Sequence, residues 1–266
     1  RTELAAPGIV PGLDVNVALA GPCVPHDPLT ASLPGFILRW TLCNRTDQPR
    51  TVTARLGWPN LVGRGGGIGR AESNIGYADG YYSYWDAPTH HTSQAVETPD
   101  WVGLEYCNAP SQHGDAADGE HWLATRARTG TTQVGDDPRL GYLATTVDLA
   151  PGATETVDMV VAWHMPNWRD TLDKNRGHYW QRAATDGRRL VDYFWSEFEH
   201  ILDAGSALGE LFAATDLPAW LTDRLQNACY PLVTNSVFYR DGRFSINEGP
   251  TEMAGCYGTI DHRLGA

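Results

Sequence analysis

The strongest constraint on this chain is a change of hydrophobic period near Asn167. Before it, apolar residues alternate. In "GFILRWTL", Phe36, Leu38, Trp40 and Leu42 face one way, and Ile37, Arg39 and Thr41 the other. "TVTARLGW" repeats the pattern with Val52, Ala54, Leu56 and Trp58. Period 2 is the signature of a strand that buries one face. The intervening "NRTDQP" is a turn cluster. "LGYLATTVDL" and "TETVDMVVAWHM" flank "APGA", Ala150 to Ala153, which predicts a hairpin with Pro151-Gly152 at its tip. Strands punctuated by Gly/Pro turns, with no helical pattern between them, predict an antiparallel β-sandwich over residues 1–166. Two long irregular stretches, 63–84 and 108–120, interrupt it; loops of that length usually line a site or meet another unit.

After Asn167 the spacing becomes helical. Leu190, Val191, Phe194, Phe198, Ile201 and Leu202 form one stripe between His178 and Leu202, and Gly205 is placed as its end. "DLPAWL" opens a second helix, with Asp216 as N-cap and Pro218 in the first turn. Its stripe is Leu217, Leu221, Leu225, Ala228 and Leu232, with a break expected near Pro231. The division is therefore a β-domain at 1–166, a linker and connecting helix at 167–215, and the start of a helical domain at 216–266.

Charge and composition remove several function classes. A net charge of −12 disfavours a nucleic-acid or anionic-membrane partner. No apolar run approaches the roughly 20 residues that span a bilayer. The opening "RTELAAPGIV" has neither Met nor an apolar signal core, so Arg1 is not expected to be the translation start. Five scattered cysteines without a CxxC pair fit reduced thiols in a cytoplasmic protein, and Asn44-Arg45-Thr46 is a glycosylation triplet that matters only in a secretory compartment. "GRGGGIGR", Gly63 to Arg70, lacks the GK[ST] ending of a phosphate loop. The histidines, including His26, His90, His91, His113, His121, His164 and His178, show no HExxH or HxH spacing, so no metal and no other cofactor is expected. Ten Trp and eleven Tyr either fill a sandwich core or offer flat faces to sugar rings.

Chemistry is concentrated in "FSINEGPTEMAGCYGTIDHRLGA", which sets Glu248, Glu252 and Asp261 among glycines and aromatics. Glycosidases need two carboxyl groups, one as nucleophile or base and one as acid. The run "WLTDRLQNACYPLVTNSVFYRDGRFSINEG" followed by "GTIDHR" resembles the non-lysosomal glucosylceramidase, or bile-acid β-glucosidase, family: glycoside hydrolase family 116 and its bacterial relatives. "PHDPLTASLPGFILRWTLCNRTDQPRTVTARLGWPNLVG" resembles that family's N-terminal β-domain. "WHMPNW" followed by "GHYWQ" resembles the crossing to its helical domain.

The resemblance implies an N-terminal antiparallel β-sandwich followed by the first helices of an (α/α)6 barrel, and a retaining mechanism on β-glucosides. By motif, Glu248 in "INEG" corresponds to the nucleophile, and Asp261 with Thr259 to the Thr-x-Asp that binds sugar hydroxyls. The interval from Glu248 to Asp261 is longer than the family's usual spacing, which leaves Glu252 as a second candidate nucleophile. That departure also keeps open a non-catalytic carbohydrate-binding or scaffolding protein, and a glycosidase of different specificity. The family's general acid is expected downstream of Ala266, with the chain as the N-terminal portion of a larger enzyme, inactive alone. The partners implied are a carbohydrate substrate and either the rest of the catalytic domain or a second chain, because helices 178–238 would otherwise expose apolar faces.

Overall fold

The computed structural model describes residues 2–5, 10–62, 68–69, 81–82, 91–108, 119–127, 131–167, 175–228 and 236–246. The strands are β1 (Thr2–Ala5), β2 (Leu13–Ala20), β3 (Gly35–Asn44), β4 (Arg50–Pro59), β5 (Ile68–Gly69), β6 (Tyr81–Tyr82), β7 (His91–Glu97), β8 (Val102–Asn108), β9 (Glu120–Ala127), β10 (Thr131–Gly135), β11 (Leu140–Leu149), β12 (Thr154–His164), β13 (Ser236–Phe238) and β14 (Phe244–Ile246). The helices are α1 (Pro28–Ala31), α2 (Gly187–Ser196), α3 (Phe198–Ala213) and α4 (Ala219–Ala228), with a 3-10 turn at Tyr179–Arg182.

A seven-stranded antiparallel sheet, in the order β1-β2-β3-β12-β9-β8-β7, faces a three-stranded sheet, β10-β11-β4. Between them Leu38, Leu42, Ala54, Leu104, Leu123, Leu143, Val147, Val157 and Met159 form one core, and the expected sandwich is present. Both alternating rows point as their period requires. Phe36, Leu38, Trp40 and Leu42 of β3, and Val52, Ala54, Leu56 and Trp58 of β4, all meet this core.

The expected hairpin at Ala150–Ala153 is instead a crossing between sheets. β11 pairs with β4 and β10, whereas β12 pairs with β3 and β9. The inner faces of β11 and β12 are apolar toward the same core, so they oppose each other across it rather than pair edge to edge. β3 and β4 cross in the same way, and Asn44 laces the two crossings together. Its side chain donates to the carbonyls of Gln48 (2.8 Å), Leu149 (3.1 Å) and Ala150 (3.2 Å) and accepts from Thr46, while its backbone meets Ala153 and Gly152. The Asn of the glycosylation triplet is thus fully buried and structural.

The other face of the large sheet carries a second core. Ile37, Trp101, Trp122, Val160 and Ala162 meet Leu190, Val191, Phe194, Trp195, Phe198, Ile201 and Leu202. The stripe from Leu190 to Leu202 is therefore covered by the sheet of its own chain; β12 is buried on both faces and offers a second apolar row. Gly205 does not end the helix. The break comes earlier, at Glu197 (φ −97°, ψ 5°), and α3 runs on to Ala213. Asp186 caps α2, accepting from the Arg189 amide at 2.9 Å. Polar ties fix the layer: Trp101 Nε1 donates to Asp192 at 2.7 Å, and Arg39 forks onto Asp158 (2.7 and 2.8 Å) and Glu199 (2.9 and 2.6 Å). Beyond this cover, Leu211, Leu217, Trp220 and Leu225 are exposed. No helical barrel is present among the described residues.

Candidate functional site

Glu248, Glu252, Thr259 and Asp261 lie outside the described residues, as do Cys256, Pro231, Leu232, His90, His113 and most of "GRGGGIGR". What the structure supplies is the approach to them: the hairpin β13–β14, whose outgoing strand ends at Ile246, two positions before Glu248 in sequence.

The hairpin is written locally by "YRDGRF". Ser236 pairs with Ile246, Val237 with Ser245 and Phe238 with Phe244. At the turn Asp241 accepts from the Arg243 amide (3.1 Å) and guanidinium (2.9 Å), and Gly242 takes φ +93°, which only glycine adopts without strain. The Arg243 hydrogen bonds hold the Asp241 carboxyl below the usual carboxylate range.

The hairpin is seated on the segment 175–182, which leads from the last sandwich strand toward α2. Phe238 stacks face to face on Tyr179, with centroids 3.9 Å apart and planes at 8°. Arg182 lies over the other ring partner, 4.4 Å from the Tyr179 centroid, and its Nε donates to the Arg240 carbonyl at 3.0 Å. His178 bridges backbone to backbone with Tyr239, and the Arg240 amide reaches the Gly177 carbonyl at 3.4 Å. Gly177 has φ +59°, and a Cβ there would run into the Arg240 guanidinium and Gln181. Gln181 in turn accepts from the His178 amide at 2.7 Å.

Beneath this seat, Trp180 is wedged between two histidines: His178 stacks on it at 5.7 Å and His164 meets its edge at 5.0 Å. Burial, then the charge of Arg240 and of His164, pushes the His178 pKa down to about 4. His164 is also pushed down by burial, against the opposing pull of Glu120 and Asp186. Both rings are neutral at pH 7. His121 is a further buried imidazole. It stands in the inter-sheet core among Trp58, Trp163 and Tyr106, without a hydrogen bond at either nitrogen, and burial lowers its pKa to about 4.

A shallow acidic cleft of about 220 Å³ lies at the start of α2, lined by Glu105, Glu120, Asp186, Arg188, Gln94 and Trp122. Glu120 is occupied structurally, accepting from Gly187 N at 3.0 Å and Trp122 Nε1 at 2.9 Å. One group among the described residues, Asp27, Glu197 and His200, brings ligand atoms within 4.8 Å of one another. Existing bonds account for it. Asp27 accepts from the Thr30 hydroxyl and from the Leu29 and Thr30 amides, and His200 Nδ1 meets Glu197 at 3.1 Å. Among the aromatics, Trp101, Trp122, Trp180, Trp195 and Tyr106 are core residues, whereas Trp220 is exposed. His91 is bonded to the Val62 carbonyl, and His26 is exposed.

The fold is a β-domain, backed by helices, with a docked hairpin that precedes the run of carboxylates in the sequence. The family model described as "beta-glucosidase 2, glycosyl-hydrolase family 116 N-term" matches residues 2–201, most of the chain, and the protein belongs to that family. Among solved structures, one from the human microbiome, a proposed kojibiose phosphorylase, is similar at 8% identity with a TM-score of 0.40, covering 75% of this chain and 21% of that one. A second, a proposed aldose 1-epimerase from Klebsiella pneumoniae subsp. pneumoniae MGH 78578, is similar at 10% identity with a TM-score of 0.34, covering 75% of this chain and 54% of that one. The chain thus spans about a fifth and about half of these two proteins. No curated protein matches the chain. No helix among the described residues is long and apolar enough to cross a membrane.

Proposed function

We propose that this chain is the N-terminal portion of a retaining glycoside hydrolase acting on β-glucosides. Glu248 is its nucleophile and Asp261, with Thr259, binds sugar hydroxyls. The observation that carries the proposal is membership of a glycoside hydrolase family, in a domain whose helical layer leads into a hairpin ending just before Glu248. An ionised Glu there attacks the anomeric carbon, and a carboxylate close by orients hydroxyls whose hydrogen bonds strengthen in the transition state. The exposed Leu211, Leu217, Trp220 and Leu225 are the face onto which the rest of the catalytic domain, or a second chain, packs. The free thiols of Cys23, Cys43 and Cys107 support a cytoplasmic setting.

The test uses activated aryl β-glucosides with the natural full-length protein. Glu248→Gln should abolish both the burst of aglycone and turnover, a loss of at least about 10⁴-fold for a covalent nucleophile. Equal activity in parent and variant removes Glu248 from the role, and Glu252→Gln then becomes the variant to measure.

A further inference from the structure

We propose that Tyr179 is a positioning residue for the nucleophile, acting through the hairpin; this rests on the assignment of Glu248 above. Among the described residues, the short segment 177–182 supplies several of the groups that hold β13–β14 in place. Tyr179 supplies a parallel stack to Phe238, and Arg182 covers the same tyrosine ring while binding the Arg240 carbonyl. Gly177 lets the turn approach, since any side chain there would strike Arg240. The hairpin itself is short. Two strands of three residues hold each other only marginally in water, so its placement depends on what it is seated against.

Tyr179 is suited to this task and not to chemistry. Its ring is half-buried and spent on two stacking partners. Phe238 is fixed by that stack, Phe244 opposes Phe238 in register at 6.1 Å, and the strand from Phe244 runs directly to Ile246 and on in sequence to Glu248. A tilt of the hairpin on its seat therefore changes the direction in which the chain leaves Ile246. Small displacements of a catalytic group are costly: about 1 Å of misplacement can lower a rate by about 10²-fold. The β-domain, which contributes none of the candidate catalytic carboxylates, would in this way control the rate of the covalent step.

The experiment compares the full-length parent with Tyr179→Leu, Tyr179→Phe and Arg182→Gln. Two readouts are taken: amide hydrogen exchange at Tyr239 and Gly242, and the rate of inactivation by a 2-deoxy-2-fluoro-β-glucoside with the labelled residue identified. Tyr179→Leu should exchange about tenfold faster at the hairpin, the scale of one aromatic stack. It should be labelled on the same residue about 10–100-fold more slowly, with substrate KM little changed. Tyr179→Phe keeps the ring and should behave as the parent. Arg182→Gln should lie between, and keeps the test available if Tyr179→Leu does not fold. Unchanged exchange, or labelling of Glu248 at the parental rate despite faster exchange, overturns the positioning role while leaving Glu248 as nucleophile. Absence of label on Glu248 in the parent overturns both.

Discussion

Arg39 ties the large sheet to the helical layer. Its guanidinium binds Asp158, its neighbour in the sheet, and Glu199, at the start of α3, while lying 5.1 Å from the Phe198 ring centroid. Bonding to both carboxylates, Asp158 before Glu199, raises its pKa further above the ordinary arginine value. The two partners differ in exposure: 12% for the Asp158 side chain and 61% for Glu199. A buried charge that loses its partner is costly, whereas an exposed pair is worth little. Arg39→Ala should therefore destabilise by about 2–4 kcal/mol, chiefly by orphaning Asp158, and Glu199→Gln by less than about 1 kcal/mol. Urea unfolding of the two variants checks this, and similar losses in both would show that Asp158 is compensated by water. The orientation of Arg39 away from the inter-sheet core was legible from the alternation around it. Its two partners, far away in sequence, were not, because alternation assigns a face and says nothing of what will face it.

At the scale of the element, strands and helices were readable, but the pairing of neighbours was not. β11 and β12 have the length, apolar faces and Pro-Gly turn of a hairpin, yet belong to different sheets. Such a turn serves equally well for an arch over the core, and what decides is Asn44, which satisfies carbonyls from both crossings. Asn44→Ala leaves three backbone acceptors short of a donor in a dry environment and should cost about 2–4 kcal/mol. Asn44→Asp should cost at least as much, because it replaces the donor with a charge that faces carbonyl oxygens. Equilibrium unfolding measures both; a loss below about 1 kcal/mol in each would mean that the crossings hold without their latch. α2 and α3 show the converse limit. Their stripe was plain, but which surface it meets depends on β12 being apolar on both faces, a property of the sheet rather than of the helices. The hairpin seat was less legible still: "GHYWQ" and "VFYRDGRF" carry no pattern that announces a stack between Tyr179 and Phe238, a contact made over long sequence separation. The roles assigned to Glu248, Glu252, Thr259 and Asp261 rest on the likeness to a family, and these residues fall outside those the structure describes.

For the molecule as a whole, three imidazoles among the described residues, His121 and His164 buried and His178 half-buried, set the acid limit of stability. His121 lies between the sheets, His164 between sheet and helices, and His178 under the hairpin. Each is neutral when folded and has its pKa lowered, His121 and His178 to about 4, with burial as the leading cause. In the unfolded chain they titrate near the ordinary histidine value, about 6.5. The unfolded state therefore binds more protons between about pH 6.5 and pH 4, and stability falls as pH drops through that window. The stabilisation is fully present above pH 6.5. A shift of this size is worth up to about 3 kcal/mol per group, so His121 and His178 together should remove about 5 kcal/mol between pH 7 and pH 4.5, a large part of a typical domain's stability. Asp27, Asp137 and Asp241, with pKa values held down chiefly by hydrogen bonds, lose their contribution only below the carboxylate range and leave this window to the histidines. Urea unfolding at pH 7.5, 6.0 and 5.0 should show the midpoint falling steeply across the series. His121→Phe should flatten that slope by about a third to a half while leaving the protein near parental stability at pH 7.5, since the ring's nitrogens have no partners to lose. A parental slope in His121→Phe would mean that His121 takes up its proton without unfolding, and that the inter-sheet core admits a charge.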